Sequence, residues 1–151
     1  MLEDEKFMNV ALQEAQMAMI ADEVPIGAVI VHQGKIIAKA HNLKEGNQDV
    51  LAHAELLAIR QAESKFKNWR LLDCTIYVTL EPCPMCASAI QQARINRIVY
   101  GTSNADTQNE KIISQIFSLS AINPTVQITK NVMEEECREL LNTFFRKKRK
   151  K

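Results

Sequence analysis

The sequence predicts a three-layer α/β fold in which helices cover both faces of a mixed, roughly five-stranded central sheet. Two apolar, β-branched runs joined by a Gln33-Gly34 turn indicate an antiparallel hairpin. Further along the chain, strand-like runs alternate with segments of helical periodicity, which is typical of strands connected by helices that pack on a sheet. The chain has 151 residues, of which 46% are apolar, so we expect one domain over residues 1–151 with a basic tail at residues 146–151.

Each element follows from a local pattern of residues. Phe7, Ala11 and Ala18 recur at helical spacing in the first helix. The polar stretch 42–49 is interpreted as a loop, and Gly101 is expected to end the fourth strand. We predict helices over residues 4–21, 54–62, 83–93, 112–119 and 133–147, and strands over residues 26–31, 36–40, 75–80, 97–100 and 125–129.

Two short motifs, His53-Ala54-Glu55 and Pro82-Cys83-Pro84-Met85-Cys86, contain the residue types of a catalytic zinc site. One imidazole and two thiolates give three protein ligands, which leaves the fourth tetrahedral position open, as in catalytic rather than structural zinc sites. Zinc lowers the pKa of a water in that position to roughly 7, and a neighbouring carboxylate can move the proton. Because this pair of motifs is a signature of nucleobase deaminases, it predicts hydrolytic deamination with Glu55 as the proton shuttle.

The predicted helices would place these side chains together. His53 and Glu55 stand at the start of one helix, and Cys83 and Cys86 stand at the start of the next. Cysteines three positions apart share one helical face, and the positive end of the helix dipole favours thiolates over thiols. A closed structural zinc site remains an alternative, although it leaves the Glu55 carboxylate without a role. Its candidates for a fourth ligand are Cys74, His41 and Cys137.

The two ends of the chain differ in charge. The chain begins Met1-Leu2-Glu3-Asp4-Glu5, which is acidic where a secretory signal would be basic and then apolar, and no apolar run approaches the roughly 20 residues that span a bilayer. We therefore expect a cytoplasmic protein without a membrane partner, whose cysteines bind metal rather than form disulfides. The six residues 146–151 are all basic and could bind the phosphates of a nucleic acid.

Motifs beyond the two metal-binding segments carry a family resemblance. They are Glu23-Val24-Pro25-Ile26-Gly27-Ala28-Val29, Ala40-His41-Asn42, Ala52-His53-Ala54-Glu55, Asn68-Trp69-Arg70-Leu71, Tyr77-Val78-Thr79-Leu80-Glu81-Pro82-Cys83, Glu136-Cys137 and Phe144-Phe145-Arg146. With these motifs the chain resembles, over nearly its whole length, the bacterial tRNA-specific adenosine deaminases of the cytidine-deaminase-like superfamily.

The resemblance implies conversion of adenosine to inosine at the wobble position of a tRNA anticodon stem-loop. It implies a homodimer with one Zn²⁺ per subunit, ligands at His53, Cys83 and Cys86, and a proton shuttle at Glu55. It also implies three groups of substrate-binding residues. Asn42 would contact the nucleoside, and the base pocket would be lined by Val24, Pro25 and Ala54. Phe144 and Phe145 would lie on a helix that approaches the RNA.

The loop from Thr102 to Glu110 departs from the family pattern. Asn104 stands where the family has an aspartate, and the glycines expected in this loop are missing. By the resemblance the loop touches the RNA and shapes the pocket, so Asn104 is counted among the substrate-binding residues. An asparagine there removes a negative charge near passing phosphates, which would relax selectivity for the RNA.

Two other functions remain open. The first is a zinc deaminase of a free base or nucleoside such as guanine, cytosine or cytidine, which the divergent loop favours and the basic tail disfavours. The second is a non-catalytic, zinc-stabilised subunit that binds RNA or a partner protein. The presence of Glu55 argues against it, because such a subunit has no need of a carboxylate beside the metal.

Overall fold

The computed structural model describes residues 2–123 and 126–149, which form helices around one sheet. The predicted strand at 125–129 is observed from Gln127, and residues 124 and 125, like Met1, Lys150 and Lys151, lie outside the described part. In chain order the elements are α1 (Leu2–Ile20), β1 (Gly27–His32), β2 (Lys35–His41), α2 (Lys44–Asn47), α3 (Ala54–Phe66), β3 (Cys74–Leu80), α4 (Pro84–Gln92), β4 (Arg97–Thr102), α5 (Asn109–Phe117), β5 (Gln127–Thr129) and α6 (Glu134–Arg149).

The five strands form one mixed sheet in the order β2-β1-β3-β4-β5, which confirms the predicted architecture. Strand β1 pairs antiparallel with both β2 and β3, whereas β3, β4 and β5 run parallel. The register between β1 and β2 shifts between Ile30 and Val31, which marks a bulge in the predicted hairpin.

Helices cover both faces of this sheet. On one face, α3, α4 and α5 pack small and branched side chains such as Ala58 and Ile90 against Ile30, Ile76 and Ile98 of the strands. On the other face, α1 and α6 pack against alternate residues of the same strands. The buried residues of this second cluster are Phe7, Met8, Ala11, Leu12, Val29, Val31, Tyr77, Val99, Val132 and Cys137.

The boundaries of several elements differ from the predictions. Gly101 does not end the fourth strand, because β4 continues to Thr102. A Cβ atom at Gly101 would lie 2.3 Å from Sγ of Cys137, so the glycine lets α6 approach the sheet closely. The predicted loop 42–49 contains the short helix α2, and the third helix continues four residues past Ala62 to Phe66. No helix in the described residues is long and apolar enough to cross a membrane.

Candidate active site

The site lies where α3 and α4 begin, beyond the carboxyl end of β3. His53 and Cys83 are the N-cap residues of these two helices, each with an extended backbone. Pro84 occupies the first turn of α4, where its fixed φ suits a helix start and its missing N–H costs no helical hydrogen bond. The two helix N-termini therefore present an imidazole and a thiol from their cap positions. Glu55 and Cys86 follow in the first turns of α3 and α4.

The three predicted ligands are brought together as expected. Nδ1 of His53 lies 3.5 Å from Sγ of Cys86 and 3.8 Å from Sγ of Cys83, and one ligand atom from each of the three residues lies within 4.8 Å of the others. In the described part of the chain, no other group of three or more His, Cys, Asp or Glu side chains has this geometry. A metal ion bound by these three residues would keep an open coordination position.

The candidates for a fourth ligand all lie in other surroundings. Sγ of Cys74 lies 3.8 Å from Nδ1 of His32, and Nδ1 of His41 lies 2.9 Å from Oε1 of Glu14. Cys137 packs against Gly101 on the opposite face of the sheet. The closed, four-ligand alternative therefore finds no support in the described residues.

The donor set fits a soft or borderline divalent metal ion. Thiolate and imidazole ligands together favour zinc among the common metals. In the metal-free protein, a hydrogen bond from the Cys86 thiol is the main cause that lowers the pKa of Cys83 to about 4, and His53 adds to it. The same hydrogen bond raises the pKa of Cys86, and the Cys83 side chain raises the pKa of His53. One thiolate is thus available at neutral pH before any metal binds.

The Glu55 carboxyl group is buried beside this cluster, with 4% of the residue exposed. Burial raises the pKa of Glu55 to about 7, and the neighbouring Cys83 side chain adds to the shift. A carboxyl group with a pKa near neutrality can both accept and donate a proton, which is the property required of a general acid–base group.

The predicted nucleoside contact, Asn42, holds the start of α3. Oδ1 of Asn42 accepts a hydrogen bond of 2.9 Å from the N–H of Ala54, and the N–H of Asn42 donates to the carbonyl of Ile26 at 3.2 Å. These bonds bring the segment that contains Val24 and Pro25 to the side of the α3 N-terminus. Four residues from the predicted pocket, Asn42, Val24, Pro25 and Ala54, therefore lie in one connected region.

Glu23 belongs to the same motif as Val24 and Pro25, but the sequence analysis predicts no role for it. Its buried carboxylate accepts hydrogen bonds from the N–H groups of Glu45 at 3.0 Å and Gly46 at 2.6 Å, so it caps the N-terminus of α2. This contact ties the segment before Val24 to the loop that follows Asn42. The sequence signal for this contact was Gly46 in a polar loop, but that signal does not identify Glu23 as the partner of its N–H group.

The remaining predicted substrate residues lie at the edge of the site or away from it. Oδ1 of Asn104 accepts a hydrogen bond of 3.0 Å from the N–H of Asp106, within an exposed loop. Phe144 is buried, with 6% of the residue exposed, whereas Phe145 is 43% exposed, as expected for adjacent residues of a helix. Phe144 therefore supports α6, and Phe145 alone of the pair presents a large exposed surface.

The basic end of α6 points towards the pocket segment. Nζ of Lys148 lies 2.7 Å from Oδ2 of Asp22, which directly precedes Glu23. The helix includes Arg146, Lys147 and Arg149 as well, so the described part of the predicted basic tail is helical and α6 extends past residue 147.

The whole chain matches known deaminases. The family model described as MafB19-like deaminase matches residues 2–149. The fold and the arrangement of the site thus define a protein of the deaminase class.

Individual relatives narrow this class. The tRNA-specific adenosine deaminase of Bacillus subtilis (strain 168) is 43% identical over 151 residues, covering 100% of this chain and 94% of the relative. A solved structure from studies of A-to-I editing by tRNA:A34 deaminases at the wobble position of transfer RNA has a TM-score of 0.83 and 40% identity, covering 90% of this chain and 99% of that one. The chain therefore belongs to the tRNA-specific adenosine deaminase family within the MafB19-like deaminases.

A guanine deaminase is also similar. The solved structure of the guanine deaminase from Bacillus subtilis has a TM-score of 0.65 and 37% identity, covering 76% of this chain and 74% of that one. Its coverage and TM-score are lower than those of the tRNA:A34 deaminase structure, so the likeness to the tRNA-acting proteins extends over more of the chain.

Proposed function

We propose that this protein is a zinc-dependent hydrolase that deaminates adenosine to inosine at the wobble position of a tRNA anticodon. The observation that carries the proposal is the group of His53, Cys83 and Cys86 beside the buried carboxyl of Glu55. The similarity over the whole chain to relatives that are named tRNA-specific adenosine deaminases supports the choice of substrate.

His53, Cys83 and Cys86 would hold one zinc ion in each subunit. When bound, zinc would supply electrophilic activation of a water molecule at neutral pH. The residues themselves prepare the site, because two helix N-termini favour thiolates and because the lowered pKa of Cys83 provides one without competition from a proton.

Glu55 would move the protons of the reaction. Its carboxylate removes one proton from the attacking water and delivers it to N1 of the purine. It then takes the remaining proton from the new C6 hydroxyl and passes it to the amino group, which leaves as ammonia as the C6=O bond forms. Glu55 must therefore alternate between its charged and its protonated form. A carboxyl group with a pKa of about 7 can do so at little cost in free energy near neutral pH.

The segments beside the α3 N-terminus would bind the nucleoside. A base splayed out of the anticodon can enter a pocket between Asn42, Ala54 and the Val24-Pro25 segment. Phe145 and the basic end of α6 would contact the RNA outside the pocket, and Asn104 would contact it from the exposed loop.

A product assay tests this proposal directly. The zinc-loaded protein is offered an anticodon stem-loop with adenosine at the wobble position, and separately free adenosine, cytidine and guanine, and the products are analysed by mass spectrometry. Inosine in the stem-loop alone is the expected result. A stem-loop in which the adenosine is moved to a neighbouring position serves as the substrate control and should remain unmodified.

The Glu55→Ala variant is the protein control. It should abolish turnover and retain zinc, since the carboxylate is not among the three metal ligands. Zinc loss in this variant would show that Glu55 supports the metal site rather than the chemistry.

A second candidate function is deamination of free guanine. It is favoured by the similarity to the guanine deaminase from Bacillus subtilis and by the divergent loop after Gly101. In the assay above, conversion of guanine with an untouched stem-loop would replace the proposed function by this one. A protein that binds zinc but converts none of the substrates would support the non-catalytic subunit instead.

We further propose a single deaminase domain over residues 1–151 that acts as a homodimer in the cytoplasm. Val50 and Leu51, which directly precede the site, are 70% and 47% exposed. Leu51 lines a groove of about 180 Å³ together with the partly exposed Leu56 and Leu57. Exposed apolar side chains grouped in this way are typical of a protein interface.

Light scattering after size-exclusion chromatography tests the homodimer. The molar mass measured for the wild-type protein should be twice that of one chain, and the molar mass of Leu51→Asp should be that of a monomer. Leu2→Asp, at a leucine that is 84% exposed on α1, is the matched control and should leave the dimer intact. A monomeric wild type would contradict the proposal.

A further inference from the structure

Both ends of the divergent loop are attached to the segment that precedes the first metal-binding cysteine. At the start of the loop, the carbonyl of Thr102 accepts a hydrogen bond of 2.8 Å from the N–H of Glu81. At its end, Nδ2 of Asn109 donates to Oε2 of Glu81 at 2.5 Å and to the carbonyl of Pro82 at 2.9 Å. Cys83 follows Pro82 directly, so these bonds lie one residue from a predicted metal ligand.

Asn109 differs from its neighbours in the loop. Ser103 and the residues from Ala105 to Gln108 are exposed, whereas Asn109 is buried, with 6% of the residue accessible. Its amide is a donor with two protons, and both acceptors that it meets belong to the Glu81-Pro82 segment. A buried side chain at the first position of α5 therefore points back under the start of α4.

The side chain of Glu81 is fixed by burial and by its hydrogen-bond donors, so a change at Asn109 would affect its position. The residue is 2% exposed, and its carboxylate lies next to the Tyr100 hydroxyl as well as the Asn109 amide. Because buried hydrogen-bonded groups in a low-dielectric interior have few alternative partners, the position of the Glu81-Pro82 backbone depends on these donors.

We propose that Asn109 is a positioning residue that fixes both the Cys83 thiolate and the loop of residues 103–108, and so couples the substrate-binding loop to the metal site. The proposal rests on the proposed function for the identity of the metal and of the substrate. Asn109 itself acts through Glu81 and Pro82 and has no part in the proton transfers. Partners that orient metal ligands in this way affect metal affinity even though they do not touch the ion.

The test compares two buried asparagines of similar exposure. Asn123 is also 6% exposed and donates from Nδ2 to a backbone carbonyl, that of Ile95, at 2.8 Å. Its contact does not involve the segment before Cys83, so Asn123→Ala is a matched control for Asn109→Ala. Both variants lose a buried amide donor, and thermal unfolding should report similar losses of stability.

Zinc affinity is measured by competition with a chromophoric chelator. Asn109→Ala should raise the Kd for zinc by roughly 10-fold or more, whereas Asn123→Ala should leave it unchanged. Asn109→Ser, which keeps one donor, should give an intermediate value and serves if the alanine variant does not fold. With Co²⁺ as probe, the visible absorption of the thiolate-bound ion should shift in Asn109→Ala alone.

Glu81 supplies a second and independent pair of variants. Glu81→Gln keeps an acceptor for the Asn109 amide and should weaken zinc binding less than Glu81→Ala does. Asn109→Ala should also raise KM for the stem-loop more than Asn123→Ala, because the loop loses its attachment.

The outcomes separate this inference from the proposed function. Equal zinc affinities in Asn109→Ala and Asn123→Ala, with normal deamination by the wild type, would overturn the inference and leave the proposed function intact. A wild-type chain that binds zinc but does not modify the stem-loop would contradict the proposed function, while the affinity comparison would still decide whether Asn109 positions Cys83.

Discussion

Two buried carboxyl groups at opposite ends of the parallel strands have opposite surroundings. Glu55 lies at the site near the carboxyl end of β3, where burial outweighs the effect of the neighbouring His53 and raises the pKa of Glu55 to about 7. Asp4 of α1 lies near the amino end of β4, where Arg97 donates to both of its oxygens at 2.9 and 2.7 Å and the Tyr77 hydroxyl donates at 2.8 Å. These hydrogen bonds, chiefly that of Arg97, lower the pKa of Asp4.

The two groups are buried to a similar extent, with 4% of Glu55 and 6% of Asp4 exposed. Burial alone therefore does not decide what a carboxyl group does in this protein. Asp4 has donors that stabilise its charge, and it joins the first helix to the sheet. At Glu55, burial outweighs the hydrogen bonds from the backbone and from Cys86 that favour the charged form, so its proton can be exchanged at neutral pH.

The largest effect is expected for Glu55→Gln on catalysis. Removal of a general acid–base group lowers the rate by a factor of about 10² to 10⁴. We expect kcat on the stem-loop to fall by a factor in the upper part of that range. Zinc content should stay at one ion per subunit. Single-turnover assays with mass spectrometry check the rate, and atomic emission checks the metal.

Full activity of Glu55→Gln would break the comparison, since the glutamine cannot transfer a proton. Asp4→Asn is the matched control: it makes the same carboxylate-to-amide change at the other buried position. It should leave kcat unchanged at a temperature where the variant is folded.

The same pair of residues predicts opposite dependence of stability on pH in the metal-free protein. Between pH 4.5 and about 7 the folded chain keeps the Glu55 proton that the unfolded chain loses, so the folded state binds more protons. The free energy of unfolding should fall across this window by roughly 3 kcal/mol relative to Glu55→Gln and level off above it. Urea unfolding of both proteins in chelator, at several pH values, measures the difference, and a constant difference would show an ordinary carboxyl pKa.

For Asp4 the sign is reversed. Its folded pKa is lowered below 3.8, so the stability that it confers is present above that pH and is lost as the pH falls through the folded value. At neutral pH, Asp4→Asn should lower the free energy of unfolding by about 1.5–3 kcal/mol, because two charge-assisted hydrogen bonds from Arg97 are weakened. Urea unfolding checks this, and the difference from wild type should shrink in acid. An unchanged stability at pH 7 would contradict the role given to the pair.

The grouping of the three predicted metal ligands could be predicted from the sequence because each ligand stands in a short, recognisable motif. His53, Cys83 and Cys86 each stand in or beside the first turn of a helix, and a strand–helix alternation brings such starts to one edge of a sheet. Helical spacing also requires the adjacent Phe144 and Phe145 to face different ways, but only the structure shows that Phe144 is the buried one. Although His53 and Cys83 are 30 residues apart, these inferences needed only the local position of each residue in its element and the order of the elements.

The contacts that support the site could not be predicted in this way. Asp4 and Arg97 are 93 residues apart, and Asn109 and Glu81 are 28 apart. No local pattern distinguishes these polar residues from solvated ones. The prediction that the fourth strand ends at Gly101 was wrong for the same reason. The side chain that requires a glycine there is Cys137, which comes from a later helix. The roles in substrate binding predicted for Asn42 and Asn104 stay predictions.

The smallest effect on stability is expected at the exposed ion pair between Lys148 and Asp22. Its N–O distance of 2.7 Å equals the shorter distance in the Asp4–Arg97 pair, but the side chains are 41% and 65% exposed. Because solvent screens such a pair, Lys148→Ala should change the free energy of unfolding by less than about 0.5 kcal/mol. The same distance thus predicts a several-fold smaller energy than for Asp4, and urea unfolding of both variants compares them directly.

Lys148→Ala should instead act on RNA binding. If Lys148 exchanges Asp22 for a phosphate of the anticodon loop, the slope of log K against log salt should fall by about 0.7, the value for one contact to a single strand. Fluorescence anisotropy with a labelled stem-loop at several salt concentrations measures this slope. Arg138→Ala, which breaks an exposed pair with Glu134 near the start of the same helix, should leave it unchanged. Equal slopes in Lys148→Ala and the wild type would assign the basic end of α6 to solvent rather than to the RNA.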